Sequence, residues 1–481
     1  MRYEPVIGLE AHVQLATDSK LFCGCSAKFG APPNRQTCAI CLGLPGVLPV
    51  LNQRAFEWGI TVALAFDCQF ATVMKFDRKH YFYPDLPKNY QISQYDQPLA
   101  AGGHLDIVVK DQPKRIGIQR IHMEEDAGKL LHDPNRPASY VDFNRAGVPL
   151  LEIVSQPDLR SSEEAYQYLL ELKAILEYLD VSTCNMEEGS LRCDANVSLR
   201  PVGSEPFGAK VEIKNLNSFK AVRAALEFEV ARQTKTLDAR GSIAQETRLW
   251  NAKLQVTESM RSKEEASDYR YFPEPDLVPF AIEASAVRRT ADQLPELPAR
   301  RRERFAARYG LAPYDAHVLT QSRRLADLFE QTVAQYPKPK PVANWIMGDV
   351  LAALNAQNLD PETLVFESVW LVHLLQAIDN GTISGKMAKE LLVESMTQRQ
   401  DPQAIIEATG LRQIVDGGAL EQLAEDVVTQ FPQSVQDYRK GKPNALMFLV
   451  GQAMRRSQGK ANPQQITNVL KRKLELKEGV S

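Results

Sequence analysis

Two cysteine pairs, Cys23 and Cys25 in "CGC" and Cys38 and Cys41 in "CAIC", carry the most specific chemical signal in the sequence. Two closely spaced pairs separated by a loop can close a tetrahedral thiolate site. With sulfur at all four positions such a site fastens a loop and leaves no room for a substrate, so the expectation is a structural zinc ion, Zn2+. Cys68, Cys184 and Cys193 sit among apolar neighbours and read as core residues. A second chemistry is written in alternation. In "IGLEAHVQL" the apolar Ile7, Leu9, Ala11, Val13 and Leu15 interleave with Gly8, Glu10, His12 and Gln14. Successive side chains of a strand point to opposite faces, so one face would carry a carboxylate, an imidazole and an amide. The habit returns in "LRCDANVSLR" (Arg192, Asp194, Asn196), in "AKVEIKN" (Lys210, Glu212, Lys214) and in "RIHMEED" (Arg120, His122, Glu124). Acids and bases mixed on one sheet face suit divalent metals, phosphates and a polar substrate.

Glu152, inside the apolar run "GVPLLEIVS", sharpens this. Burying a lone carboxylate costs several kcal/mol unless a cation accompanies it, and a metal ion removes the difficulty. Phosphate chemistry would proceed here without a P-loop. "GTISGKM" is one residue short of a Walker motif, no Ser or Thr follows Lys386, and no G-x-G-x-x-G follows a strand. A nucleotide would be held through metals on carboxylates, with lysines and arginines on phosphate oxygens. Residues 77–96 gather Lys79, His80, Tyr81, Tyr83, Lys88 and Tyr90 around two prolines with little to bury. Such groups stack on bases and grip phosphate.

The elements that must position these residues follow from the rest of the chain. Its 481 residues are 44% hydrophobic and 24% charged with a net charge of −3, which excludes collagenous, disordered and membrane classes and predicts two or three domains. No apolar leader opens the chain and nowhere do 18 apolar residues run together, so neither signal peptide nor membrane span is read, and a cytoplasmic location is expected. Residues 1–293 mix short alternating segments with helices. In "SEEAYQYLLELKAILEYL", Ala165, Tyr168, Leu169, Leu172, Ile175, Leu176 and Leu179 recur at helical spacing. The reading is an α+β domain with an antiparallel sheet, charged in front and backed by helices. Residues 294–405 read as a helical domain and 406–481 as a helical tail. In the tail, Asn462 is an N-cap, Pro463 fits the first helical position, and Ile466, Val469, Leu470 and Leu474 form one stripe. Between Tyr438 and Lys477 stand ten basic residues and one acid, Glu475. That stretch is +9, leaving −12 for the remainder, and basic patches of this kind are footprints for phosphate backbones.

These segments together resemble the GatB/GatE family, the B subunits of tRNA-dependent amidotransferases. The strings that carry the resemblance are "IGLEAHVQL", "CLGLPGVLPVLN", "KHYFYPDLPKNYQISQYD", "IHMEEDAGKLLH", "DFNRAGVPLLEIVS", "MEEGSLRCDANVS", "VEIKNLNSF" and "MRSKEEASDYRYFPEPDL". Later, "GTISGKMAKELL" and "GKANPQQITNVL" resemble that family's YqeY-type tail. The resemblance implies a cradle domain with a sheet like that of glutamine synthetase, then a helical domain and the tail. It implies ATP-dependent phosphorylation of the side-chain carboxylate of Glu-tRNA(Gln) or Asp-tRNA(Asn), followed by displacement of phosphate by ammonia. The cofactors it implies are ATP, Mg2+ or Mn2+, and structural Zn2+ on the four cysteines. His12, Glu125 and Glu152 match the family's metal-binding positions, with Glu10 beside them. Alternation puts Glu124, not Glu125, on the polar face, so the family assignment requires a bulge after Met123 or a strand that has ended there; we side with the resemblance. Asp194 and Glu212 are candidates for a second metal, and Lys79 and Lys214 for phosphate contacts.

No N-terminal Cys follows Met1, and neither a G-x-C-x-G turn nor the Gly-Gly-Ser-Ser stretch of amidases occurs, so ammonia must come from elsewhere. The resemblance names the amidase subunit GatA and the small subunit GatC as partners, with misacylated tRNA as substrate; neither membrane nor DNA is expected. Two other readings fit the residues alone: a free-standing ligase of the glutamine synthetase kind acting on a small molecule, and a non-catalytic tRNA-binding scaffold whose acidic face merely binds ions.

Overall fold

The computed structural model describes residues 2–110, 112–133, 135–262, 269–411, 413–414, 416–457 and 459–475. Part of the motif "MRSKEEASDYRYFPEPDL", and Lys477 of the basic tail, lie outside them. The chain forms two compact units, Met1–Pro298 and Ala299–Ser481.

In the first unit the strands are β1 (Tyr3–Gln14), β2 (Gln69–Phe70), β3 (Val73–Met74), β4 (Asp77–His80), β5 (Tyr90–Ser93), β6 (Ala100–Val109), β7 (Gln112–Glu125), β8 (Lys129–His132), β9 (Ser139–Asp142), β10 (Pro149–Ser155), β11 (Leu191–Pro201), β12 (Val211–Lys214), β13 (Glu246–Asn251), β14 (Val256–Ser262), β15 (Phe272–Pro273) and β16 (Phe280–Ala281). Three helices back them: α1 (Gln53–Ala65), α2 (Ser162–Tyr178) and α3 (Phe219–Asp238). Nine strands make one sheet in the order β14-β13-β12-β11-β1-β10-β7-β6-β2. A three-stranded sheet, β15-β4-β5, and two hairpin-sized pairs, β16-β3 and β8-β9, complete the unit.

The four alternating sequence segments fall on β1, β7, β11 and β12 of the nine-stranded sheet. Their apolar sides, including Leu9, Ala11, Val13, Ile121, Met123, Cys193 and Ala195, are buried in one cluster with Leu169, Leu172 and Leu176 of α2 and Val222 and Leu226 of α3. Each of the leucine, valine, isoleucine and methionine side chains among them contributes about 1.5–3 kcal/mol by leaving water. Helix α2 starts where Ser161 accepts a hydrogen bond from the Glu164 N–H (3.1 Å), and α3 where Ser218 accepts one from Ala221 (3.1 Å). Pairing in the sheet is antiparallel except between β12 and β13, which run parallel. Parallel neighbours need a long crossover, and α3 supplies it.

Register fixes which polar residues meet. His12 lies opposite Glu152 on β10 and opposite Arg192 on β11, and Glu152 lies opposite His122 on β7. Arg192, His12, Glu152 and His122 thus form one row across four strands, and Glu10 opposite Asp194 starts the next.

The second unit is helical. It holds two separate apolar clusters, one running from Phe305 to Ile406 and one from Leu420 to Leu474. In its last helix, Pro463–Glu475, Asn462 caps the start by accepting from the Gln465 N–H (3.0 Å). Among the described residues no helix is long and apolar enough to cross a membrane.

Candidate functional site

The row of polar residues converges on two buried carboxylates. The His12 Nε2 lies 3.5 Å from Glu152 and 3.7 Å from Glu124, and His122 Nε2 lies 3.1 Å and 3.7 Å from the same two. Ser93 on β5 donates to Glu124 at 3.2 Å. Burial would raise both carboxyls, but the two imidazoles outweigh it and hold Glu152 well below, and Glu124 below, the usual carboxylate range. Burial would likewise depress His122, yet Glu152 and Glu124 hold it up at about 9. Ligand atoms of His12, Glu124 and Glu152 all lie within 4.8 Å of one another. Two carboxylate oxygens and an imidazole nitrogen at that spacing fit a divalent cation; the imidazole suits manganese better than magnesium, which prefers oxygen.

Around this centre runs a cavity of about 250 Å³ lined by, among others, His12, Lys79, Glu124, Asp126, Arg192 and Lys214. Lys79 pairs with no carboxylate among the described residues. Its Nζ sits 5.0 Å from the Tyr269 ring and 6.0 Å from that of Tyr81. Burial opposes its charge, but Glu124 and Glu152 raise its pKa above the ordinary lysine value. Glu10 accepts a hydrogen bond from Asn196 (2.8 Å). Lys214 is committed: its Nζ is 2.7 Å from Asp194 and 3.3 Å from Glu212, and Thr247 donates to Glu212 at 2.9 Å. The ammonium expected to grip phosphate is therefore held between the two carboxylates expected to bind a second metal, and offsets one of their two charges.

Three residues near the centre escape a reading of single motifs. Asp126 is buried and accepts from Gln14 (2.7 Å), from Arg192 (2.9 Å) and from the Ala127 N–H (2.9 Å). It thereby aims Arg192 at the cavity. His122 stands in the same alternation as Glu124, and Arg192 in that of Asp194; what the motifs leave out is which strands are neighbours.

The cysteines form a compact cluster, with the four sulfurs within 4.8 Å of one another. The Cys38 N–H donates to the Cys41 sulfur at 3.1 Å, and the buried Lys20 ammonium reaches that sulfur at 3.6 Å. The Cys41 thiol is pushed down to about 4, chiefly by its hydrogen bond with Cys23 and helped by Lys20. Four sulfurs with N–H and ammonium partners fit a tetrahedral thiolate metal site.

Comparison with known proteins adds the decisive observation. The profile described as the GatB/GatE catalytic domain matches residues 5–288, and a GatB domain profile matches residues 327–474. The chain belongs to the GatB/GatE family. It is 54% identical to a protein of Carboxydothermus hydrogenoformans over 98% of this chain and 99% of the relative. It is 55% identical to one of Moorella thermoacetica over 98% and 100%, and 54% identical to one of Caldanaerobacter subterraneus over the same shares. Each of these relatives is named as the B subunit of an aspartyl/glutamyl-tRNA(Asn/Gln) amidotransferase.

The structure places Glu125 apart from His12 and Glu152, the other two positions that the GatB/GatE resemblance implies. Strand β7 runs on without a bulge after Met123: Met123, Glu124 and Glu125 face Leu151, Leu150 and Pro149 in unbroken order, and the register shift lies instead at Val154/Ser155. Glu125 therefore points to the opposite side from His12 and Glu152. There it meets Lys88 at 2.5 Å and accepts from the Ile92 N–H at 2.9 Å. Gly43 of the cysteine loop has φ +69°, and a Cβ there would lie 2.2 Å from Lys88 Cγ. The glycine leaves room for the lysine that engages Glu125. The carboxylate facing His12 and Glu152 is Glu124, as simple alternation requires.

Proposed function

We propose that this chain uses ATP to phosphorylate the side-chain carboxylate of Glu on tRNA(Gln), or of Asp on tRNA(Asn), and that ammonia then displaces phosphate to leave the amide. A carboxylate is a poor electrophile, and conversion to an acyl phosphate supplies the leaving group. The names of the relatives support this substrate class. The observation that carries the reading is the His12–Glu124–Glu152 group with Lys79, which pairs with no carboxylate among the described residues, at the same cavity. A divalent ion held there, Mg2+ or Mn2+, would neutralise charge on the transferring phosphoryl group. His122 and Ser93 keep the two carboxylates in place, Lys79 presents an ammonium to phosphate oxygens, and Asp126 holds Arg192 toward the same space. Glu10, fixed by Asn196, borders the centre on the next row. Asp194, Glu212 and Lys214 act as one ion-pair unit with a net charge of −1, and a second metal would have to displace the lysine.

We read the four cysteines as a structural Zn2+ site. Because the chain lacks a glutaminase nucleophile, ammonia comes from a partner, for which the family resemblance names GatA, with GatC completing a heterotrimer in the cytoplasm. The basic tail contributes tRNA affinity, not chemistry. ATP cleavage measured with Glu-tRNA, with Asp-tRNA and without tRNA tests all of this. Turnover that depends on misacylated tRNA is expected. Turnover without RNA would favour a small-molecule ligase, and none at all a scaffold.

A further inference from the structure

Strand β4 presents two different faces. On one, Arg78 is clamped by Glu274 through bonds of 2.7 and 2.8 Å and lies 4.3 Å from the Tyr90 ring, while His80 stacks on Phe272 at 4.9 Å. Those groups satisfy one another. The other face begins with Lys79 and continues, in steps of two, through Tyr81 and Tyr83 just beyond the strand. Two more tyrosines, Tyr269 and Tyr271, join them ahead of β15, the strand that pairs with β4. Ring contacts then run without a break from Tyr83 to Tyr81 (6.2 Å), to Tyr269 (6.3 Å), to Tyr271 (6.1 Å) and to Tyr95 (4.4 Å, the two rings stacked face to face).

This row is not core. Tyr83 is 44% and Tyr95 46% exposed, and Phe82 beside them 75%. Tyrosines that fill a core normally find a partner for the hydroxyl. Among the described residues the hydroxyls of Tyr83 and Tyr95 have none. Between its two exposed ends the row touches the reaction cavity, because Tyr81 and Lys79 both line it, and the Lys79 ammonium lies against the Tyr81 and Tyr269 rings. An open, sequence-tolerant stacking platform with a cation at its base is what a nucleotide end requires.

We propose that this tyrosine row seats the 3′-terminal adenine of the aminoacylated tRNA, stacked on the open face of Tyr95, which Tyr271 backs. The inference rests on the function proposed above. In that reaction the carboxylate is tethered to the terminal ribose, so whenever it reaches Glu124 and Glu152 the terminal base must lie one aminoacyl-ribosyl length away, at the rim of the same cavity. The row widens from half-buried Tyr81 and Tyr271 to exposed Tyr83 and Tyr95, as suits an acceptor end fed in from solution. Every tRNA ends in the same adenosine, so stacking here would serve a Gln and an Asn acceptor equally.

The test replaces adenine with 2-aminopurine, whose fluorescence is quenched by stacking. Two probes are titrated into the full chain assembled with its partner subunits: an acceptor minihelix ending in 2-aminopurine, and 2-aminopurine riboside triphosphate. Quenching of the minihelix is expected. Tyr95→Leu and Tyr271→Leu should abolish it and raise the KM for aminoacyl-tRNA roughly five- to a hundredfold, while Tyr95→Phe and Tyr271→Phe retain both. Quenching of the triphosphate alone would overturn the proposal and give the row to ATP. Absence of quenching with both probes, while tRNA-dependent phosphorylation persists, would overturn it and leave the proposed function standing. Loss of phosphorylation in the unsubstituted protein would instead bring down the function on which it rests. Tyr95 is exposed, so its leucine variant tests the row even if the Tyr271 variant folds poorly.

Discussion

Replacing Glu124 and Glu125 by glutamine, one at a time, separates two roles held by adjacent residues. Glu125 and Lys88 are only 4% and 8% exposed and 2.5 Å apart. Removing one charge of a buried pair costs about 3–5 kcal/mol, because the other is left unpaired in low dielectric. The amide introduced by Glu125→Gln can still accept from the Ile92 N–H, so the lower end, about 3 kcal/mol, is expected. For a unit as large as Met1–Pro298 this lowers Tm by about 6 °C, taking roughly 2 °C per kcal/mol. Glu124→Gln should differ in kind: it gives up the attraction of His12 and His122 that holds this carboxylate ionised, and it also removes a metal ligand. A cation present at about a hundred times its Kd stabilises the native chain by about 2.7 kcal/mol, and that gain should vanish in Glu124→Gln and persist in Glu125→Gln. Calorimetry of the three proteins with and without Mn2+, at constant zinc, reads both effects. If Glu125→Gln lost the metal-dependent shift while Glu124→Gln kept it, the register-based assignment would be wrong and the family-based one restored.

Four further outcomes are expected. Total-metal analysis should find one zinc per chain, and Cys41→Ser should lower zinc content and make residues 23–49 susceptible to protease; full zinc retention would contradict a four-cysteine site. Glu330, 23% exposed between Arg301 and Arg304, has its carboxyl held down at about 2, burial opposing and the two guanidiniums prevailing. Its stabilisation is complete above the ordinary value near 4.5 and is lost as pH falls toward 2. Glu330→Gln should therefore cost about 2–3 kcal/mol at pH 7, and denaturant titrations of the two proteins should converge at low pH. Cutting the chain near residue 405 should weaken tRNA binding and flatten its log–log salt dependence by roughly 0.7–0.9 per lost phosphate contact; an unchanged slope would move the grip elsewhere, although Arg301 and Arg304 of the other basic cluster are already paired with Glu330. Finally, ammonium should support amide formation by this chain, whereas glutamine should do so only with a partner subunit; glutamine hydrolysis by the chain alone would refute this.

Periodicity made most of the sheet legible. Alternation placed Glu10, His12, Asp194 and Glu124 on one face because the side-chain period of a strand is two and the apolar half has one place to go. At Glu124 and Glu125 the strand follows the plain period, which sets Glu124 beside His12 and Glu152, since nothing in the backbone interrupts β7. What the period cannot carry is adjacency. That β11 and β7 flank β1 and β10, so that Arg192 and His122 join His12 and Glu152, depends on pairings between residues far apart in the chain. Lys214 shows the same gap from another side: its face was legible, but its capture by Asp194 and Glu212 depends on where a long side chain folds once its neighbours are known. The parallel joint of β12 and β13 was hidden for a related reason, because the direction of a strand leaves no trace in its hydrophobic pattern.

The central position of β1, between β10 and β11, has a consequence for the chain during its synthesis. His12 meets its partners only when residues 152 and 192 exist. At about 5–20 residues per second, β1 leaves the ribosome roughly 10–40 seconds before its second neighbour. Until β10 emerges, its twelve residues have neither neighbour to pair with, and afterwards one edge stays open until β11 follows. An exposed, unpaired strand invites pairing with other nascent chains, and charged side chains along it discourage such pairing. Glu4, Glu10 and His12 therefore have work to do before any substrate arrives: the polar face that later forms the reaction centre also keeps the first-made part of the protein soluble while it waits.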